Sequence, residues 1–134
     1  ITGSIKDASV NKYEYNYTGF ESGSTMMYFK EEGTMGLIAL EFTAYKFDSK
    51  ENAKIYYSNK INKVKEEGGY TELKNKLNSE CFTYKIDRGM EASFGKNICI
   101  KENIVFQTDI TTSYTFRRAE TYLKYADFFE SKIN

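Results

Sequence analysis

Aspartate and glutamate are the only abundant side chains here that could exchange a proton near neutral pH, because the chain contains no His and only two Cys. Without imidazole there is no Ser-His or Cys-His nucleophile pair and no His-containing zinc site. Two carboxylates can still cleave a glycosidic bond when they flank it. Glu31-Glu32 falls in an expected hairpin tip and Glu66-Glu67 at an expected helix end, both places where charge is ordinarily solvated. Glu41 stands apart, because it interrupts the most apolar run of the chain, Met35 to Phe47. If that face is covered, Glu41 is a partly buried carboxylate, one signature of a functional site. An exposed face, or a partner such as Lys85 or Lys101, is the plainer alternative. Arg117-Arg118 are neighbours whose side chains point apart on a helix, so they form no phosphate fork. No Gly-rich phosphate loop and no Asp/Asn calcium loop occurs. The sequence therefore predicts no enzyme: no catalytic pair, no metal site and no cofactor.

The two cysteines carry the remaining chemistry. In the strand-like run from Cys81 to Ile86, Phe82, Tyr84 and Ile86 share one face while Cys81, Thr83 and Lys85 share the other. Around Cys99, Ile98 and Ile100 share a face opposite Asn97, Cys99 and Lys101. Both cysteines thus fall on the polar side of their strands. A buried free thiol would favour the apolar side, so the shared parity favours a Cys81–Cys99 disulfide and an oxidising, extracytoplasmic compartment. The sequon Asn16-Tyr17-Thr18 is compatible with export.

Tyrosine is out of proportion, twelve residues beside ten Phe and no Trp. Tyr13, Tyr15 and Tyr17 alternate with Glu14 and Asn16 on an expected strand and form the sharpest candidate binding surface, since aromatics with a polar tip suit interfaces. The competing reading packs them under a helix as core.

Charge excludes some partners. Nineteen Lys and Arg balance nineteen Asp and Glu, with both signs mixed along the chain, so the basic face of a nucleic-acid binder is not expected. No run reaches the length of a membrane helix. The chain starts at Ile1, which reads as a processed product whose signal or lipid anchor lies upstream, with residues 1–10 a flexible or partly tag-derived segment of a single 1–134 domain.

The elements that must hold these groups alternate clearly. Tyr13–Tyr17 and Thr25–Lys30 read as strands around an expected Glu21-Ser22-Gly23-Ser24 turn, and Glu31-Glu32-Gly33 as a hairpin turn. Thr34–Phe47 is a long central strand with Ile38, Leu40, Phe42 and Ala44 on one face. Asp48-Ser49-Lys50-Glu51 reads as a capping box opening a helix over about Ser49–Glu67, with Ala53, Tyr57, Ile61 and Val64 inward and Gly68-Gly69 closing it. Strands follow near Tyr70–Leu73, at Cys81–Asp87, Met90–Phe94, Ile98–Lys101 and Ile104–Ile110, with a turn at Gly95-Lys96-Asn97. A closing helix is expected over about Thr115–Lys132, with Glu130 and Asp127 outward. The fold class is α+β: one antiparallel, meander-rich sheet with two amphipathic helices packed on it, in the order β-β-β-α-β-β-β-β-β-α.

The run from Glu41 to Ala53, including Phe47-Asp48-Ser49-Lys50-Glu51, followed by Tyr56-Tyr57, resembles the strand and helix start of small exported or lipid-anchored domains of archaea and bacteria. Gly89-Met90-Glu91-Ala92, the next hairpin, Asn103-Ile104-Val105 and the closing helix are similar to their second half. The resemblance spans roughly residues 35–133 and implies a PsbP-like architecture, an antiparallel sheet with helices packed on it. Lys101-Glu102-Asn103 departs from the basic residue and Gly those domains often carry. The expectation is a non-enzymatic extracytoplasmic domain that binds a protein or envelope partner through a Tyr-rich strand or sheet surface. A carrier for a small apolar ligand, with a Tyr/Phe-lined pocket between helix and sheet, is the alternative.

Overall fold

Helix α1 begins where the side chains can satisfy its first amides. In the computed structural model, which describes residues 17–32, 36–88, 92–113, 127, 128, 130 and 131, α1 spans Lys50–Glu67 and Ser49 caps it, its hydroxyl accepting from the Asn52 amide at 3.1 Å. The cap is one residue later than the expected box: Asp48 instead accepts from Asn52 Nδ2 at 2.7 Å. Gly68 ends the helix at φ +67, its amide bonded to Val64 O, as a left-handed closing residue should.

Among the described residues six strands surround that helix in sequence: β1 Phe20–Glu32, β2 Gly36–Phe47, β3 Thr71–Leu73, β4 Glu80–Arg88, β5 Ala92–Lys101 and β6 Ile104–Ser113. They form one antiparallel sheet in the order β1-β2-β6-β5-β4-β3. The chain builds the β1-β2 hairpin, crosses by α1 to the far edge, and returns through a meander that closes against β2. The fold is α+β with a single antiparallel sheet.

The expected order of ten elements is not matched, for local reasons. Gly95-Lys96-Asn97 is not a turn, because Lys96 pairs with Tyr84 and Asp109 and Asn97 with Thr83 and Thr108, on both sides of one continuous β5. Glu21-Ser22-Gly23-Ser24 is not a turn either; it lies inside β1, with an irregularity between Phe20 and Ser22. Glu31 and Glu32 pair with Leu37 and Gly36 at the end of that hairpin. The expected strand at Tyr13–Tyr17 lies outside the described residues except for Tyr17, and most of the expected closing helix lies outside them too. One long helix, α1, is present among the described residues; Asp127, Phe128 and Glu130 are helical, with Ser131 N bonded to Asp127 O.

The sheet has two buried faces. Under α1 pack Phe47, Ala53, Tyr56, Tyr57, Phe82, Tyr84, Ile98 and Val105. On the opposite face pack Leu40, Phe42, Cys99, Phe106 and Ile110. The second cluster explains why the supposedly polar sides of β4 and β5 are not wet: Thr83, Asn97 and Cys99 are all buried there.

Candidate functional site

Side-chain alternation decides which groups can meet. Glu41 sits on the α1 face of β2, whereas Lys85 and Lys101 lie on the opposite face of the sheet, so neither can pair with it. The register instead lines up Met27, Glu41, Asp109, Lys96 and Tyr84 across β1, β2, β6, β5 and β4. Glu41 and Asp109 are directly opposite, an arrangement in which like charges repel. Asp109 is compensated. Lys96 Nζ donates to its Oδ1 at 3.2 Å, and Gln107 Nε2 donates to both oxygens at 2.8 Å. Gln107 Oε1 in turn accepts from Lys60 Nζ of α1 at 2.6 Å. Glu41 has no hydrogen-bond or ion-pair partner among the described residues.

This row marks a boundary in the sheet. α1 covers the end of the face that carries Phe47, Val105, Ile98 and Phe82. Beyond the row, Ala39, Thr111, Phe94 and Ile86 are only half-buried, and Met27 is exposed at 41%. On this half of the face one carboxylate without a partner among the described residues stands among half-buried apolar and threonine side chains. Such a surface can accept a donor or cation from a partner and cover its apolar edge.

A second feature is a cleft of about 430 Å³ at the opposite end of the sheet, lined by Asn78, Ser79, Glu80, Lys101, Asp127, Glu130 and their neighbours. Glu130, expected to face outward, is buried at 6% exposure. Its Oε1 and Oε2 accept the Asn78 and Ser79 amides at 3.0 and 2.9 Å. The carboxylate thus supplies the acceptors for two consecutive amides of the loop before β4. Burial works against the charged carboxyl, but those amide bonds, the Ser79 hydroxyl and Lys101 outweigh it and hold Glu130 below its ordinary range. Burial, with help from nearby Glu80, pushes the Tyr57 hydroxyl up to about 12. The Glu102 carboxyl is held low and the Lys50 amine high by their mutual hydrogen bond and charge.

Tyr17 is half-buried, its ring 5.1 Å from Tyr56, 6.2 Å from Phe20 and 6.3 Å from Tyr45. It packs at the start of α1; Tyr13 and Tyr15 lie outside the described residues. The space between α1 and the sheet, where an apolar carrier would need its pocket, is filled by Tyr56, Phe47, Phe82 and Ile98. Cys81 and Cys99 stand opposite each other on β4 and β5, with Cα atoms 4.1 Å apart, and are joined as a disulfide. Sequence alternation placed Glu41 correctly on its own strand but could not reveal Asp109, Lys96 or Gln107 beside it, since those positions are set by pairing. Among the described residues, no group of three or more metal-ligating side chains forms and no helix is long and apolar enough to cross a membrane.

No family model matches the chain, and no curated protein matches it. In fold the chain is similar to the extracellular domain of PknH from Mycobacterium tuberculosis, with a TM-score of 0.61 over 98% of this chain and 79% of that one, at 10% sequence identity.

Proposed function

We propose that this chain is a non-enzymatic, extracytoplasmic binding domain that engages a protein or envelope partner through the sheet face beyond α1. The carrying observation is Glu41, a half-buried carboxylate with no partner among the described residues, set beside exposed Met27 and half-buried Ala39 and Ile86 on the sheet face beyond α1. Asp109 already has Lys96 and Gln107, so Glu41 is the carboxylate whose repulsion across the pair a partner's cation would offset. The setting outside the cytoplasm is supported by the disulfide, which a reducing cytosol disfavours, and by the likeness in fold to an extracellular domain. The Tyr13/Tyr15/Tyr17 ladder is not part of this reading, because Tyr17 packs against Tyr56.

A photo-crosslinking residue placed at position 27, with position 55 as control, tests it in cells of the source organism. Ile55 is equally exposed, at 43%, but on the outer side of α1. The proposal expects a discrete crosslinked species from position 27 and none from 55, with the species lost on Glu41→Lys. Equal labelling from both positions, or none from either, removes the sheet surface from consideration.

A further inference from the structure

The disulfide has an asymmetric environment that a permanent staple does not need. Cys99 is fully buried, at 0% exposure, whereas Cys81 is half-buried. Asn97 Nδ2 donates to Cys99 Sγ at 2.9 Å, and Thr83 Oγ1 donates to Asn97 Oδ1 at 2.6 Å, so the amide is held in place from the neighbouring strand. Thr108, the register partner of Asn97 on β6, is also fully buried, and its hydroxyl has no hydrogen-bond partner among the described residues. A disulfide sulfur is a weak acceptor, so the buried amide gains little from the oxidised state. A thiolate is a charged acceptor, and the same contact then becomes a charge-assisted hydrogen bond. The amide thus interacts more strongly with the reduced, leaving form of Cys99 than with the bonded form.

We propose that Cys81–Cys99 is a site of thiol–disulfide exchange, attacked at Cys81 by a small external thiol, with Asn97 stabilising the Cys99 thiolate that departs. The external thiolate forms a new S–S bond to Cys81 as the Cys81–Cys99 bond breaks. The bonding pair leaves on Cys99, which then takes a proton from solvent. A second thiolate attacks the external sulfur of the mixed disulfide, releasing Cys81 as a thiolate that is protonated in turn. Two external thiols become one external disulfide, and the protein gains two thiols. Burial alone raises the energy of a thiolate and slows its departure; the Asn97 amide offsets that, and a better-stabilised leaving thiol leaves faster. Thr83 is a positioning residue, acting through the Asn97 carbonyl.

The test is reduction of the folded protein by glutathione without denaturant, quenched by alkylation and read by peptide mass. The expected first product carries glutathione on Cys81 and a free, alkylated Cys99. Asn97→Ala should slow the first step about tenfold, since it removes a charge-assisted hydrogen bond that is only partly formed in the transition state. Thr83→Val should slow it by a smaller factor. A purely structural role for Asn97 predicts the opposite sign, because a loosened sheet exposes the disulfide and speeds reduction. Glutathione on Cys99, an unchanged or faster rate for Asn97→Ala, or a wild-type rate that rises with urea as global unfolding does would overturn the proposal. Should Asn97→Ala fail to fold, the site of attack and the urea dependence in the wild type decide the matter.

Discussion

Replacing Glu130 by Gln should destabilise the domain in a way that depends on pH. The carboxylate is 6% exposed and gives one oxygen to each of two backbone amides, at 3.0 and 2.9 Å. Gln keeps one acceptor and turns an NH2 group toward the other amide, so one charge-assisted bond is lost and a buried donor is left facing a donor. Hydrogen bonds to charged groups contribute about 1.5–3 kcal/mol, which sets the expected loss at about 2 kcal/mol. At this chain length each kcal/mol moves the melting temperature by roughly 4 °C, so thermal unfolding at pH 7 should show a fall of about 8 °C. The folded-state pKa of Glu130 lies below its ordinary 4.5, so folding favours the ionised form. That contribution is fully present above the unfolded value and is lost as pH falls through the folded one. The gap between wild type and Glu130→Gln should therefore be largest near neutral pH and close progressively below about pH 4.5. A gap that stays constant from pH 7 to pH 3, or is absent at pH 7, would refute the assignment of Glu130 as an ionised clamp on the Asn78-Ser79 loop.

Three further outcomes follow from packing and backbone geometry. Tyr56→Ala should cost about 3–5 kcal/mol by urea unfolding, because Tyr56 is 1% exposed with ring centroids 5.1, 5.2 and 5.6 Å from Tyr17, Phe47 and Tyr45, while Ile55→Ala, one residue away but outward, should change stability by under about 0.5 kcal/mol; similar costs would mean the helix face is misassigned. Ala53→Pro should cost about 3 kcal/mol or more by the same measurement, since it removes the Ala53 N to Ser49 O bond, whereas Lys50→Pro falls in the first turn and should cost much less. Gly19→Ala should lower the melting temperature by several degrees, on the order of 1–2 kcal/mol, because Gly19 has φ +79 and an added Cβ would run into the Asp48 and Asn52 side chains; an unchanged melting temperature would show that the Gly19–Asp48 turn relaxes freely.

Local signals were legible where the chain decides its own structure. The capping residues around Ser49 and the Gly68 closure give α1 to within a residue, because a helix end is satisfied by side chains a few positions away. The alternation of Cys81 to Ile86 and of Asn97 to Lys101 assigns each side chain to its face of the sheet. Turn chemistry misled at Gly95-Lys96-Asn97, where ladder hydrogen bonds from two flanking strands outweigh a local preference for a bend. It misled again at Glu21–Ser24, inside β1. The inward Tyr56 was absent from the helical stripe read from Ala53, Tyr57, Ile61 and Val64, although its spacing of three from Ala53 was available to find it.

The sequence by itself determined the α+β class, the helix and its ends, and the absence of imidazole chemistry, because composition and near-neighbour spacing are properties of the chain alone. Only the tertiary structure decided what the faces are worth. The side of β4 and β5 that reads as polar is buried against Phe42 and Phe106, which brings Asn97 onto the Cys99 sulfur. Glu130 turns inward, where its two oxygens take the Asn78 and Ser79 amides from a loop far away in the sequence. Glu41 meets Asp109 rather than a lysine because strand order, fixed by closure of the meander against β2, sets who stands across from whom.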